Sequence, residues 1–323
     1  MKLRTSTLSG WGRRSFFVVF VIFVSLWLTL PRSLRSSPVG SVRAVVLGIA
    51  QDGGVPHIGC RQERCVSARR DPAQRLRVAS LGLVDADGSR FLIDATPDLA
   101  SQIESLWGNE VPPDRQRPLS GILLTHAHIG HYAGLMYLGR EALGARGVPV
   151  YATPRMCRFL RENGPWSQLV SLGNIELREI IPGQELALSP RLRVTPLAVP
   201  HRDEFSDTVG FRVRGPERTL LYVPDIDKWE RWGTRIEDEV ARADVALLDG
   251  TFFEPSEIPG RSLADIPHPL VTETAARIPD ALRARVRLIH LNHTNPLLLD
   301  PRRLEAPALR GLAVAREGED FPL

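Results

Sequence analysis

The sequence predicts an α/β fold in which sheet layers are covered by helices, and three observations point to it. Short apolar stretches of strand character outnumber the helical stretches. The helical stretches recur along the chain instead of clustering at one end. Several of the apolar stretches finish in a histidine or an aspartate. A β-sandwich would lack the recurring helices.

The first strand expected is VRAVVLG, which begins at Val42, and ASLGLVD, RFLIDA, GILLT and VPVYA follow it. LRVTPLAVP, TVGFRVR, TLLYVPD, VALLDG and VRLIHL complete the set. Helices are expected at 97–107, with Pro97 in the first turn, at 132–143, at 154–163 behind Thr153-Pro154, at 234–242 and at 268–277. Residues 161–174 carry no readable chemistry beyond Trp166, which is expected to close the core.

Of the 323 residues, 43% are hydrophobic and 24% charged, enough for a sizeable core. No repeat or composition break divides the chain after PRSLRSSPVGS, which reads as a linker, so one domain is expected over 42–323 and an N-terminal segment with linker over 1–41. The net charge of +4 is small and dispersed over arginines, so no nucleic-acid partner is expected. No G-x-S-x-G or P-loop pattern occurs, which removes serine hydrolases and nucleoside triphosphatases. The three cysteines, Cys60, Cys65 and Cys157, are too few for a disulfide framework, and Cys157 in RMCRFL reads as a packing residue.

Lys2, Arg4, Arg13 and Arg14 precede the apolar run FFVVFVIFVSLWLTL at 16–30, which Pro31 ends. Fifteen helical residues span roughly 22 Å, short of the ~30 Å hydrocarbon core of a bilayer, which suits a signal peptide. Arg13-Arg14 followed by Phe16-Phe17 resembles a twin-arginine export signal. No A-x-A cleavage site follows, so an uncleaved membrane anchor is the alternative; both place the folded part outside the cytoplasmic membrane.

The chemistry concentrates in LLTHAHIGHYAGL, where His126, His128 and His131 fall within six positions after an apolar run. Alternation along an extended segment puts His126 and His128 on one side, and His131 returns from the next turn. Asp94, His201, Asp225, Asp249 and His290 each end another apolar stretch, so all are expected at one edge of the sheets. Imidazole with carboxylate suits zinc, with iron or manganese as alternatives. A second cluster lies in GIAQDGGVPHIGCRQERCVSARRDP. There Cys60 and Cys65 sit in a polar loop that would not bury them, which favours a structural zinc, and a Cys60–Cys65 disulfide is the rival. His293, three residues beyond His290, is a candidate third ligand.

THAHIGH, with Asp94 upstream and His201, Asp225 and His290 downstream in that order, resembles the metallo-β-lactamase-fold superfamily. The resemblance implies an αββα sandwich of two mixed sheets flanked by helices. It also implies that His126, His128 and His201 hold one metal, His131 and His290 a second, that Asp225 bridges them, and that Asp94 orients a ligand histidine. Gly130 departs from the pattern, which has a metal-binding aspartate there, so the second position is expected to be weakened and one or two metals are expected at the site. The glycine-rich cysteine loop, LLDGTFF and IHLNHTNPLL resemble the branch that contains the coenzyme PQQ synthesis protein B and phosphonate-pathway cyclic phosphodiesterase families. In the latter a third cysteine completes the structural zinc; here His57 or a water is expected to do so.

The resemblance implies a metallo-hydrolase acting through activated water on a small ester, phosphodiester or thioester. Asp225 would orient the water and His268 would protonate the leaving group. Two other functions are compatible: an accessory or iron-dependent redox protein of quinone-cofactor biosynthesis, and a non-catalytic metal- or ligand-binding protein. Asp227 is a weaker candidate for the missing carboxylate.

Overall fold

A computed structural model of the chain describes residues 41–257, 260, 262 and 266–323, within a compact unit at 38–323. Its strands are β1 Arg43–Gly48, β2 Ser80–Val84, β3 Arg90–Ile93, β4 Gly121–Leu123, β5 Val148–Ala152, β6 Ile175–Glu179 and β7 Leu186–Ala187. They continue as β8 Arg193–Ala198, β9 Val209–Arg214, β10 Thr219–Val223, β11 Val245–Asp249, β12 Val286–Ile289, β13 Ala313–Val314 and β14 Asp320–Pro322. Among the described residues they form two seven-stranded mixed sheets, ordered β14-β1-β2-β3-β4-β5-β6 and β13-β12-β11-β10-β9-β8-β7.

The period-two alternation of each strand builds the layers. In β3, Phe91 and Ile93 face the space between the sheets while Leu92 faces the outer helices; in β10, Leu220 and Tyr222 face inward while Leu221 and Val223 face out. The inter-sheet core also takes Leu81, Leu83, Phe211, Val213 and Leu247. Leu99 and Leu106 of the helix Leu99–Trp107 cover the first sheet, and Ile236, Val240, Val271 and Ala275 cover the second. The result is the expected αββα sandwich.

Strand direction gathers the site. Within the first sheet β1 is antiparallel to β2 and β2 to β3, so β1 runs with β3, which is parallel to β4. In the second sheet the same reasoning makes β8 run with β10, which is parallel to β11, and β11 to β12. The segments leaving these seven strands therefore carry Asp52, Asp94, His126, His201, Asp225, Asp249 and His290 at the carboxyl ends, where ligand sites of parallel sheets form.

Most expected elements hold to within a few residues. The helix expected at 132–143 is instead a short α-turn, Ile129–Tyr132, followed by a 3-10 stretch, Ala133–Leu138. The backbone is pinned there: Gly134 N–H donates to Ala95 O at 2.9 Å, and a Cβ on Gly134 would sit 1.9 Å from Thr96 O. Strands β6, β7, β13 and β14 were not expected, because IELRE is a half-exposed charged edge and the others have two or three residues.

The expected signal or anchor at 16–30 lies outside the described residues. Among the described residues no helix is long and apolar enough to cross a membrane, a span that needs about 20 apolar residues.

Candidate metal centre

Asp225, at the end of β10, is the hub, buried to 2% exposure. His126 Nε2 lies 3.3 Å from its Oδ2, and His201 Nε2 lies 3.3 Å from its Oδ1. His128 Nδ1 is 2.8 Å from His126 Nε2 and 3.3 Å from His201 Nε2. Two ligands of a tetrahedral metal, each about 2.0–2.1 Å from it, lie about 3.3 Å apart, so these separations are those of a ligand shell. His126, His128, His201 and Asp225 form one potential ligand group; Asp52, His131 and His290 form a second beside it, and Asp225, His268 and His290 a third.

The outer ring atoms are held. Asp94 accepts from Thr125 N at 2.8 Å and from His131 Nδ1 at 2.8 Å, which turns His131 Nε2 toward the centre. Thr125 Oγ1 meets His126 Nδ1 at 3.0 Å, and Thr251 Oγ1 meets His290 Nδ1 at 3.0 Å. These are the outer-shell contacts that fix tautomer and ring direction in metal sites. His131 Nε2, His290 Nε2, Asp52 Oδ1 and Asp225 Oδ1 are buried without a hydrogen-bond partner. Buried polar atoms are seldom left so. The first three converge on one place and Asp225 Oδ1 faces His201 Nε2 at 3.3 Å, so cations at the two positions would satisfy them. The residues fit a metal.

Charge balance in the polypeptide follows the same geometry. Burial opposes a charge on His131, yet Asp94, Asp52 and Asp225 outweigh it and push its pKa up to about 9. Burial opposes one on His268 too, and Asp249 and Asp225 overcome it, pushing the pKa up to about 10. For His126 and His201 burial wins: His201 is drawn down to about 4 and His126 well below its ordinary value. Burial also lowers His128. Burial alone would raise Asp225, but His201, His268 and His290 hold it well below the usual carboxylate range.

The other candidates separate clearly. His268 is buried, with Nδ1 2.9 Å from Asp249 Oδ2 and 3.2 Å from Asp225 Oδ1. Asp249 also accepts from Ile226 N and Thr251 N, so it braces the site. Asp227 pairs with Arg231 and belongs to none of the ligand groups. Trp166 packs against Tyr132 and Phe159 at ring separations of 4.7 and 5.9 Å. Cys157 is buried in the core, where burial pushes its thiol up to about 11.

Cys60, Cys65 and His293 form a separate ligand group, and Cys65 Sγ lies 3.7 Å from His293 Nδ1. Both thiols are free, and each accepts a backbone N–H, Cys65 from His57 and Cys60 from Gln62. His57, expected with a water as the alternative to complete the shell, is not part of this group: its ring stacks on that of His293 at 4.3 Å, and its Nδ1 meets Ile58 O. Asp52 is the residue that sequence reasoning missed. The signal was its place four positions beyond β1 in a Gly-rich loop, like the other ligands at strand ends.

Fold and site together define a two-sheet α/β protein with a histidine-rich metal centre at the carboxyl ends of its strands. Residues 89–291 match the family model of the beta-lactamase superfamily domain, and the chain belongs to that family. It is 29% identical to a coenzyme PQQ synthesis protein B of Methylorubrum populi, over 86% of this chain and 98% of that one. The protein of that name from Cupriavidus necator is also 29% identical, with the same coverage. Among solved structures, zinc-bound PqqB from Methylobacterium extorquens superposes with a TM-score of 0.72 at 23% identity, covering 87% of this chain and 100% of that one. A diphosphatase of the PhnP family gives 0.64 at 22% identity, covering 87% and 97%. Relatives matched along nearly their whole length are thus named for coenzyme synthesis, and the expected exported or outward-facing location is not upheld.

Proposed function

We propose that the chain is a metal-centred enzyme of the coenzyme PQQ synthesis protein B type, working on a small-molecule substrate in quinone-cofactor biosynthesis. One observation carries the reading: His126, His128 and His201 close around Asp225 at ligand-shell separations, in a chain whose relatives of that name match along 98% of their length. Those three histidines and Asp225 would hold a metal, zinc or iron, which would supply polarisation of a substrate oxygen and a water whose pKa falls from ~15.7 to about 7. His131 and His290 would hold a second metal with Asp225. Asp94, Thr125 and Thr251 keep the rings aimed. His268 holds a proton between Asp249 and Asp225, beside the reacting centre. A structural zinc on Cys60, Cys65 and His293 would brace the loop after β1.

Hydrolysis of an ester, phosphodiester or thioester is the second reading, favoured by one feature. Asp225 lies within reach of two ligand groups at once, as a bridging carboxylate in a two-metal hydrolase does. The test is twofold. Full-length protein and its His126→Ala variant are expressed in a bacterium lacking its own coenzyme PQQ synthesis protein B, and coenzyme is measured by mass spectrometry. The purified pair is also assayed on phosphodiester, ester and thioester panels after loading with zinc or iron(II). Restored coenzyme that depends on His126 supports the first reading, and His126-dependent turnover of a panel substrate alone supports the second. A metal-loaded protein active in neither overturns both and leaves a binding function.

A further inference from the structure

Position 130 holds a glycine in the middle of the histidine cluster, and the space beside it is filled by a residue from a distant part of the chain. A Cβ built on Gly130 would sit 2.0 Å from Asp52 Oδ1 and 2.8 Å from Asp52 Cα. We propose that Asp52, delivered by the loop after β1, is the carboxylate ligand of the second metal position, and that position 130 is glycine because Asp52 occupies the room its side chain would need. The inference rests on the metal-centre reading above and deepens it.

Three buried atoms without hydrogen-bond partners define the place: Asp52 Oδ1, His131 Nε2 and His290 Nε2. Asp52 Oδ1 lies 3.6 Å from the first nitrogen and 3.9 Å from the second. Asp225 Oδ2 faces the same two nitrogens at 3.6 and 3.8 Å. Two carboxylate oxygens and two imidazole nitrogens thus surround one point. All four distances are too long for hydrogen bonds and suit ligands that share a cation. The side chain of Asp52 is 32% exposed, but the oxygen aimed inward is buried, leaving the other edge open toward solvent.

The loop is held in place independently of its side chain. Gln51 N–H donates to Leu291 O at 2.9 Å, and Leu291 N–H donates to Ile49 O at 2.8 Å. Asn292 Nδ2 donates to Gln51 Oε1 at 2.6 Å, and Gly54 N–H donates to Gln51 O at 2.7 Å. These bonds fasten the loop to the residue after His290, so Asp52 and His290 are positioned as one unit. The nitrogens opposite are equally fixed, because Asp94 takes His131 Nδ1 and Thr251 takes His290 Nδ1. The rings therefore have only Nε2 left to offer, and both Nε2 atoms face Asp52.

The test titrates zinc by calorimetry into metal-stripped full-length protein, with bound metal counted by elemental mass spectrometry. Wild type, Asp52→Asn, Gly130→Ala and His126→Ala are compared, and circular dichroism checks that each is folded. Asp52→Asn is nearly isosteric, and Gly130→Ala attacks the same ligand from the other side by displacing Asp52. The expected result is that both lose one zinc equivalent relative to wild type, or bind it at least tenfold more weakly. The equivalent bound by His126 and that of the cysteine group remain. Wild-type stoichiometry and affinity in folded Asp52→Asn would overturn the inference while leaving the metal centre intact. The same holds for a wild type with a single histidine-centre metal that Asp52→Asn does not affect. Equal zinc counts in wild type and His126→Ala would instead sink the metal-centre reading itself, and this inference with it.

Discussion

Asp94 and His290 are the two non-glycine residues with positive φ among those described, at 70° and 63°. Such backbone is uncommon outside glycine and collects at sites where surrounding structure enforces it. Each stands directly after a strand, and the left-handed turn swings its side chain into the centre. For Asp94 the consequence is testable. Asp94→Asn keeps a residue that tolerates this backbone but weakens the bond to His131 Nδ1. Loss of such an outer contact typically lowers metal affinity 10–100-fold. Calorimetric titration of the variant is expected to show that loss at the His131 position, with the His126 position within a few-fold of wild type. Equal weakening at both positions would mean that Asp94 acts on the fold and not on one ring. His126, His128 and His131 were legible in the sequence because their spacing is local. Asp52 was not, because its role depends on a loop 78 positions away in sequence from Gly130 closing over it. For His57, offered with a water as the last ligand of the cysteine group, spacing in a loop does not say which way a ring turns, and the ring stacks on that of His293.

At the scale of elements, the short segment after β12 serves two groups of ligands at once. His290 points into the histidine centre while His293 reaches Cys65. The cysteine group and the main centre are thus joined through three residues of backbone and through the segment after β1, whose loop carries Asp52 and Cys60 and whose helix, Glu63–Arg70, carries the buried Cys65. Cys65→Ser is expected to remove one zinc per chain by mass spectrometry and to loosen 52–65, seen as faster amide hydrogen exchange there. Unchanged zinc content would show that the thiols hold no metal. The helix Pro154–Glu162 offers a plainer check of element formation. Thr153 caps it by accepting from Met156 N–H, with Pro154 at the first position, so Thr153→Ala is expected to cost about 1 kcal/mol in urea denaturation. This helix was readable from Thr-Pro followed by an amphipathic run. The 3-10 stretch at Ala133–Leu138 was not, because what tightened it is the close approach of Gly134 to the strand-end residues Ala95 and Thr96.

For the molecule as a whole, the two sheets meet along an apolar interface that ends at the ligand-bearing edge. The first sheet's segments bring Asp52, His126, His128 and His131, and the second sheet's bring His201, Asp225 and His290. Every ligand group at the main centre draws from both except the one formed by Asp225, His268 and His290. A metal there would therefore clamp sheet to sheet, and the same buried carboxylates and imidazoles would have only protons to balance them once it is removed. A ligand that binds only the folded state at about a thousand times its Kd adds about 4 kcal/mol. In a chain of this size each kcal/mol moves the melting temperature by about 2 °C. Chelator-treated protein is accordingly expected to melt about 8 °C or more below the zinc-loaded form by calorimetry, with the difference restored on adding zinc back. Part of that shift belongs to the cysteine group, and Cys65→Ser isolates the remainder. If Cys65→Ser melts at one temperature with and without chelator, the histidine centre does not hold the sheets together, and the core between them carries the fold alone.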